Sequence, residues 1–297
     1  MNAATMQTVI TQSAAAMGPV TLAHDVCALP LVRRLAAMLD RDPDALREGD
    51  LLPRGWHTAF FNVPVRQSQL RADGIAGLGV GLPDLGLPRL MLAGRRNQFH
   101  GDIPIGARLR RETRQGEVQL KQGRSGRFAL VKLEHRIFVE SANQHAITEQ
   151  LDYVLREAVS AAPADFASAR AAAPAPAAPA ATEQAADATH TLIPDERLLF
   201  RYSAITDNPH RIHYDQPYAS GVEGYPALVV NGSIPAMFLL ELFRAHAQRE
   251  PASFSSRNVA PMFCGQALHL QLRREESDWR LWATGTAGHL AFDARAT

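Results

Sequence analysis

The sequence is short of several things, and each shortage narrows what the protein can be. It has two cysteines in 297 residues, Cys27 and Cys264, far apart and in no metal-binding or redox spacing. A disulfide framework is excluded, and both are expected to be small buried apolar residues, which suits a reducing cytoplasm. There is no charge of one sign in excess: 31 basic residues face 30 acidic ones. Such a balance leaves no net field to attract nucleic acid or an anionic membrane. No apolar run approaches the roughly 20 residues that cross a bilayer. The first 20 residues contain neither Arg nor Lys, which argues against a signal peptide or presequence. What remains is 46% hydrophobic and 21% charged, the composition of a soluble globular protein with room for two ordinary domains.

The chain divides at an Ala/Pro-rich stretch. Residues 171–182 hold three prolines among alanines and offer almost nothing to bury. They cannot offset their own ordering entropy, and a linker over 161–189 is expected. Before it, residues 21–160 form a first unit. From Asp25, apolar residues recur at three- and four-residue steps through Leu39, which predicts a helix with Asp25 as its N-cap. An aromatic run over 56–65 and a glycine-rich loop over 66–86 follow. Several alternating segments from Arg89 to Leu155, among them Arg108–Gln115 and Glu117–Lys121, read as an antiparallel meander. After the linker, residues 190–297 form a second unit. Arg197–Thr206 reads as a strand, Tyr218–Gly224 as a turn region, and Ser233–His246 as a buried helix with Pro235 in its first turn. Strand candidates follow at Phe254–Val259, Gln266–Arg273, Trp279–Ala283 and His289–Ala294. A helix followed by antiparallel strands, in each half, is an α+β outline.

Between Asp207 and Asp215 the chain crowds two imidazoles, a guanidinium, a carboxamide and two carboxylates around Pro209. Each of these residues alone has an ordinary structural explanation: an Asx turn for Asn208, a cap for Asp215, a salt bridge from Arg211 to Asp215 or Glu223. Together they precede a long apolar helix that begins near Asn231-Gly232. A buried helix N-terminus favours negative charge, and glycine lets a ligand oxygen approach the backbone. A histidine base, a water-orienting amide and an oxyanion-stabilising helix end suit the addition or removal of water beside a thioester carbonyl.

These residues resemble the MaoC-like hydratases, and more closely their type 2 hydroxyacyl-thioester dehydratase and mesaconyl-CoA or itaconyl-CoA hydratase subfamily. Arg201-Tyr202-Ser203-Ala204, His210 to Asp215, Pro217-Tyr218-Ala219, Glu223 to Pro226 and Phe263-Cys264-Gly265 carry the resemblance in the second half. Trp56-His57, Pro88-Arg89, Ala93-Gly94, Gly123 to Gly126 and Thr148-Glu149-Gln150 carry it in the first. The resemblance implies a double hot dog, two units each with a helix wrapped by an antiparallel sheet, with catalysis in the second. It implies His213 as the base, Asn208 as the holder of the water, and the Gly232 N–H as the donor to the thioester oxygen. Arg89, Arg95, Arg211, Tyr225 and Asn231 are expected beside the substrate. Relatives usually have His-Gly where this chain has Asn231-Gly232.

The expected reaction is reversible hydration of an α,β-unsaturated acyl-CoA, a C5 dicarboxyl thioester being one substrate class. A hot-dog thioesterase and an inactive acyl-CoA-binding paralogue are the alternatives. No cofactor and no metal are expected, the partners being the acyl-CoA and at most a second copy in a homodimer.

Overall fold

In the computed structural model, residues 19–62, 64–75, 85–123, 126–157 and 185–297 are described. The expected linker over 161–189 therefore falls almost entirely outside the described residues, as do parts of the lead-in and of the 66–86 loop.

The sequence order is β1 (Thr21–Val26), α1 (Leu29–Met38), β2 (Arg89–Phe99), β3 (Arg108–Gly123), β4 (Gly126–Val139), β5 (Ile147–Arg156), β6 (Ala188–Leu192), α2 (Glu196–Ile205), α3 (Gln216–Gly221), α4 (Ser233–Ala247), β7 (Ser253–Asn258), β8 (Leu268–Arg274), β9 (Trp279–Gly285) and β10 (Leu290–Ala296). The strands make one antiparallel sheet in the order β1-β3-β4-β5-β2-β7-β10-β9-β8-β6. Strands from residues 21–156 fill one half and those from 188–296 the other. The halves join where β2 pairs with β7, from Gly94 opposite Arg257 to Gln98 opposite Ser253.

One hydrophobic core runs across both halves. Phe254 and Phe292 of the sheet, Leu35 of α1, Trp56, and Ile234, Met237 and Phe243 of α4 are all fully buried within it. The apolar residues of α4 recur at three- and four-residue steps, so the helix presents one broad face to the sheet. Its last turn ends on Gln248 in the left-handed region, at φ 54°. In the first half the corresponding helix has ten residues, and the 56–61 aromatic segment fills the remaining space with Trp56, Phe60 and Phe61.

Four expectations from local pattern are corrected. Arg197–Thr206 is helix α2, not a strand. Asp195 caps it by accepting the Leu198 N–H at 2.9 Å, and Leu199, Tyr202 and Ile205 face inward at helical spacing while Phe200 is exposed. Tyr218–Gly224, expected as a turn region, begins inside α3, whose first turn is capped by Asp215. Asp25 does not cap α1. It sits in β1, and its carboxylate accepts the Phe61 N–H at 2.6 Å, tying the aromatic segment to the sheet edge. The segments expected at 108–115 and 117–121 are one strand, β3, with a register shift between Gln115 and Val118.

Candidate active site

The second-half loop leaves α2 through Asp207, which takes a positive φ of 45°. The Asn208 carboxamide oxygen accepts the His210 N–H at 3.1 Å, an Asx turn that re-aims the chain. Residues 211–213 form a single 3-10 turn, after which Asp215 starts α3. The bonds between Arg211 and Asp215, at 2.8 and 2.9 Å, close the loop on itself. Backbone bonds then fasten it to the run that leads into α4: the Val229 N–H donates to the Ile212 carbonyl at 2.9 Å.

His213 lies under this loop and is buried. Its Nδ1 is 2.7 Å from the Val229 carbonyl oxygen, three residues before Gly232. A carbonyl only accepts, so Nδ1 carries the proton and Nε2 is left with the lone pair. Burial pushes the His213 pKa down, the Val229 carbonyl opposing it in part, so the imidazole is neutral at physiological pH. His210 packs edge-on against it with ring centroids 5.5 Å apart. Burial, then the neighbouring His213, pushes His210 down to about 4.

The start of α4 accounts for its backbone donors almost completely. The Asn231 side-chain oxygen accepts the Ser233 N–H at 3.0 Å and the Asn231 backbone carbonyl accepts the Ile234 N–H at 2.9 Å. Pro235 has no N–H. The Gly232 N–H is thereby left without an acceptor among the described residues. A side chain at 232 would have nowhere to go: an added Cβ would lie 2.5 Å from Asn258 Oδ1 and 2.6 Å from Nδ2. That amide is anchored across the junction of the halves by donating from Nδ2 to the Leu92 carbonyl at 3.0 Å.

The structure separates the other expected site residues. Arg89 donates from Nε to Glu223 at 2.8 Å and from Nη2 to the Tyr225 hydroxyl at 3.2 Å, so Arg89 and Tyr225 form one unit with Glu223. Tyr225 in turn packs on Phe263 beside Ile212, Tyr218 and Val229. Arg211 is engaged within the protein: besides Asp215 it donates to the Ala72 carbonyl at 3.1 Å and lies over the Tyr218 ring. Arg95 points into the first half, 3.4 Å from the buried carboxylate of Glu149. Local reading missed the 71–75 segment of the first half altogether. There the Asp73 carbonyl accepts the Arg211 N–H at 2.9 Å, and Gly74 packs so tightly on the Pro209 carbonyl that a Cβ would lie 2.0 Å from its oxygen. Glycine at φ 88° is required there. Only its being Gly in a loop could have signalled this.

Neither cysteine is equipped as a nucleophile: burial pushes Cys27 up to about 12 and Cys264 up to about 11. Among the described residues no group of three or more His, Cys, Asp or Glu side chains is arranged to hold a metal ion, and no helix is long and apolar enough to cross a membrane.

A single antiparallel sheet of two joined five-stranded halves, with buried helices packed in one core across both, is the architecture of the double hot-dog class. Solved structures show the same fold. HtdX of Mycobacterium tuberculosis superposes with a TM-score of 0.62 at 16% identity, covering 94% of this chain and 99% of that one. A second Mycobacterium tuberculosis protein, described as having a double hotdog fold, gives 0.57 at 16% identity over 95% of each chain. The model of the family "hydroxyacyl-thioester dehydratase type 2" matches residues 55–264. A mesaconyl-C(4)-CoA hydratase of Chloroflexus aurantiacus is 38% identical over 274 residues, 91% of both chains. The chain belongs to the type 2 hydroxyacyl-thioester dehydratase family and is a hydro-lyase.

Proposed function

We propose that the protein reversibly adds water across the double bond of an α,β-unsaturated acyl-CoA, giving a 3-hydroxyacyl-CoA, with the catalytic groups in residues 190–297. The observation that carries this reading is the bond from His213 Nδ1 to the Val229 carbonyl. It leaves Nε2 as a base on the run that enters the unoccupied donor at Gly232.

In the hydration direction, His213 Nε2 takes a proton from water as the water oxygen bonds to Cβ. The electrons of the double bond move to the thioester carbonyl, whose oxygen receives the Gly232 N–H bond as it becomes enolate-like. The proton held by His213 then passes to Cα. Asn208 has already spent its carbonyl oxygen on the His210 N–H, so its NH₂ is the group that donates to the water and holds it. Asn231 serves the site by capping Ser233 and Ile234, which leaves Gly232 as the available donor.

The substrate class we assign is a branched dicarboxyl enoyl-CoA of the mesaconyl or itaconyl type. The Chloroflexus relative is named for mesaconyl-C(4)-CoA, which supports this class; on our reading the Arg89 guanidinium, which is paired with Glu223 through Nε at 2.8 Å, meets the distal carboxylate with its remaining N–H groups. The thioesterase alternative needs a carboxylate on the central helix. The α4 carboxylate, Glu241, is bound by Trp56 Nε1 at 2.9 Å and by Arg244 at 2.6 Å, which counts against it.

His213→Ala should lower turnover by about 10²- to 10⁴-fold, followed as loss of the enoyl absorbance of crotonyl-CoA, mesaconyl-CoA and itaconyl-CoA. A variant that hydrates all three at the parent rate refutes the assignment.

A further inference from the structure

Residues 71–75 of the first half have no role in the mechanism above, yet they lie against the loop that carries it. Arg211 grips two consecutive carbonyls there: its backbone N–H donates to Asp73 at 2.9 Å and its Nη1 to Ala72 at 3.1 Å. The next residue, Gly74, is buried against the Pro209 carbonyl, with no room for a Cβ. Three residues of the first half, 72–74, thus meet three of the second, 209–211. The other backbone N–H of that stretch, on His210, bonds inside the loop to Asn208, and the Pro209 carbonyl accepts the Tyr214 hydroxyl at 3.2 Å. Among the described residues, the backbone of 209–211 therefore finds its hydrogen-bond partners either within 207–215 or in the first half.

The turn is built to keep its shape. The Asp73 carboxylate accepts the Ile75 N–H at 3.0 Å, an Asx turn, and the Arg71 carbonyl accepts the Gly74 N–H at 2.8 Å. The Arg71 guanidinium closes on the same carboxylate at 3.0 and 3.3 Å. It also donates to the carbonyl of Pro88, the residue before β2, which ties the turn to the start of that strand. An exposed ion pair contributes little to stability, so the Arg71–Asp73 pair matters for the shape it gives the turn.

We propose that the 71–75 turn is a positioning element of the catalytic site, with Asp73 and Gly74 as its positioning residues. It pins the middle of the loop from the first half, so that Asn208 and His213, which flank that stretch, keep their spacing. This rests on the proposed roles of those two residues. Both must address one water, and a base acts only within about 2.6–3.2 Å of the group whose proton it takes. A misplacement of about 1 Å costs up to ~10²-fold in rate. The second half fixes the two ends of the loop, through the bond from the Asn208 N–H to the Ser203 carbonyl at 2.9 Å and through the Ile212–Val229 pairing. Between those ends the chain bends at Pro209, and there the first half supplies the support.

Asp73 gives the cleaner test, because its side chain bonds to Arg71 and Ile75 inside the turn. With mesaconyl-CoA, Asp73→Ala should lower kcat about tenfold or more with KM changed less than about twofold, since the base and its water act in the chemical step. Asp73→Asn keeps the oxygen that accepts the Ile75 N–H and should recover most of the loss, which separates the shape of the turn from its charge. Gly74→Ala, which puts a methyl into the Pro209 carbonyl oxygen, should lower kcat at least as far. Adding Asp73→Ala to Gly74→Ala should cost little more, because both undo one support. The melting temperatures of the Asp73 variants should stay within about 3 °C of the parent, since Arg71 and Ala72 of the turn are exposed. Parental kcat in Asp73→Ala or Gly74→Ala, no recovery in Asp73→Asn, losses that multiply in the double variant, or a kcat loss that tracks a fall in melting temperature would each overturn the proposal. If His213→Ala is inactive while Asp73→Ala and Gly74→Ala are unaffected, only this proposal fails; an active His213→Ala removes the reading beneath it.

Discussion

Gly232 offers a sharp test of the site because its need for glycine is purely one of space. Its φ of −61° is open to any residue, so Gly232→Ala brings no backbone strain. The new methyl would instead lie 2.5, 2.6 and 2.7 Å from Oδ1, Nδ2 and Cγ of Asn258. Against a normal contact of about 3.5 Å, the shortfall is roughly 1 Å. Asn258 is not free to retreat, being held by the Leu92 carbonyl at 3.0 Å. Overpacking of this kind costs about 1–3 kcal/mol, and loss of the Leu92 bond adds about 1 kcal/mol. The total, roughly 2–4 kcal/mol, should lower the melting temperature by about 2–3 °C per kcal/mol for a chain of this size. Part of the strain should also fall on the first turn of α4, so turnover should drop by about 10²-fold although the N–H itself is retained. Calorimetry and the enoyl-absorbance assay on Gly232→Ala, Asn258→Ala and the double variant measure each part. The double variant clears the space and should recover most of the turnover lost by Gly232→Ala. A Gly232→Ala protein with parental melting temperature and kcat, or a double variant as impaired as the single one, refutes the reasoning.

The remaining predictions concern acid stability and substrate choice. His135 and His210 both have pKa values pushed to about 4 by burial, against 6.5 when exposed, so both are neutral in the folded protein. The unfolded chain binds more protons between these values, and stability falls as pH drops from 6.5 towards 4. His135, almost fully buried, should account for about 3 kcal/mol at pH 4, and the partly exposed His210 for less. Glu149 stays ionised through this window. Urea midpoints at pH 7, 5.5 and 4.5 should decline progressively, and a flat profile down to pH 5 contradicts the burial argument. Arg89→Met should raise KM for mesaconyl-CoA by about 10-fold or more while changing KM for crotonyl-CoA little, since one charge-assisted contact is worth about 1.5–3 kcal/mol. Equal effects on both substrates would take the distal carboxylate away from Arg89.

Local pattern alone was enough to place α4 and most of the strands from Arg89 onward, because their apolar spacing records which face each element buries. Local chemistry singled out the polar loop and the helix start behind it, while the choice of His213, Asn208 and Gly232 within them came from the family resemblance. Local pattern misread α2, where the alternation of Phe200 and Tyr202 imitates a strand; burial of Leu199, Tyr202 and Ile205, with Phe200 left in solvent, decided the matter. It also passed over β1 and β6, the two edge strands, which each pair on one side only and so bury too little to leave a clear pattern. No spacing rule could tell which arginines are engaged inside the protein, since Arg89, Arg95 and Arg211 find Glu223, Glu149 and Asp215 through folding. The tautomer of His213 was equally beyond reach, for it depends on one carbonyl brought alongside by the Ile212–Val229 pairing. Periodicity reports what a residue shares with its neighbours along the chain. The partners of buried polar groups come from distant elements, and only the packed sheet brings His57, Arg95 and His135 to the Glu149 carboxylate.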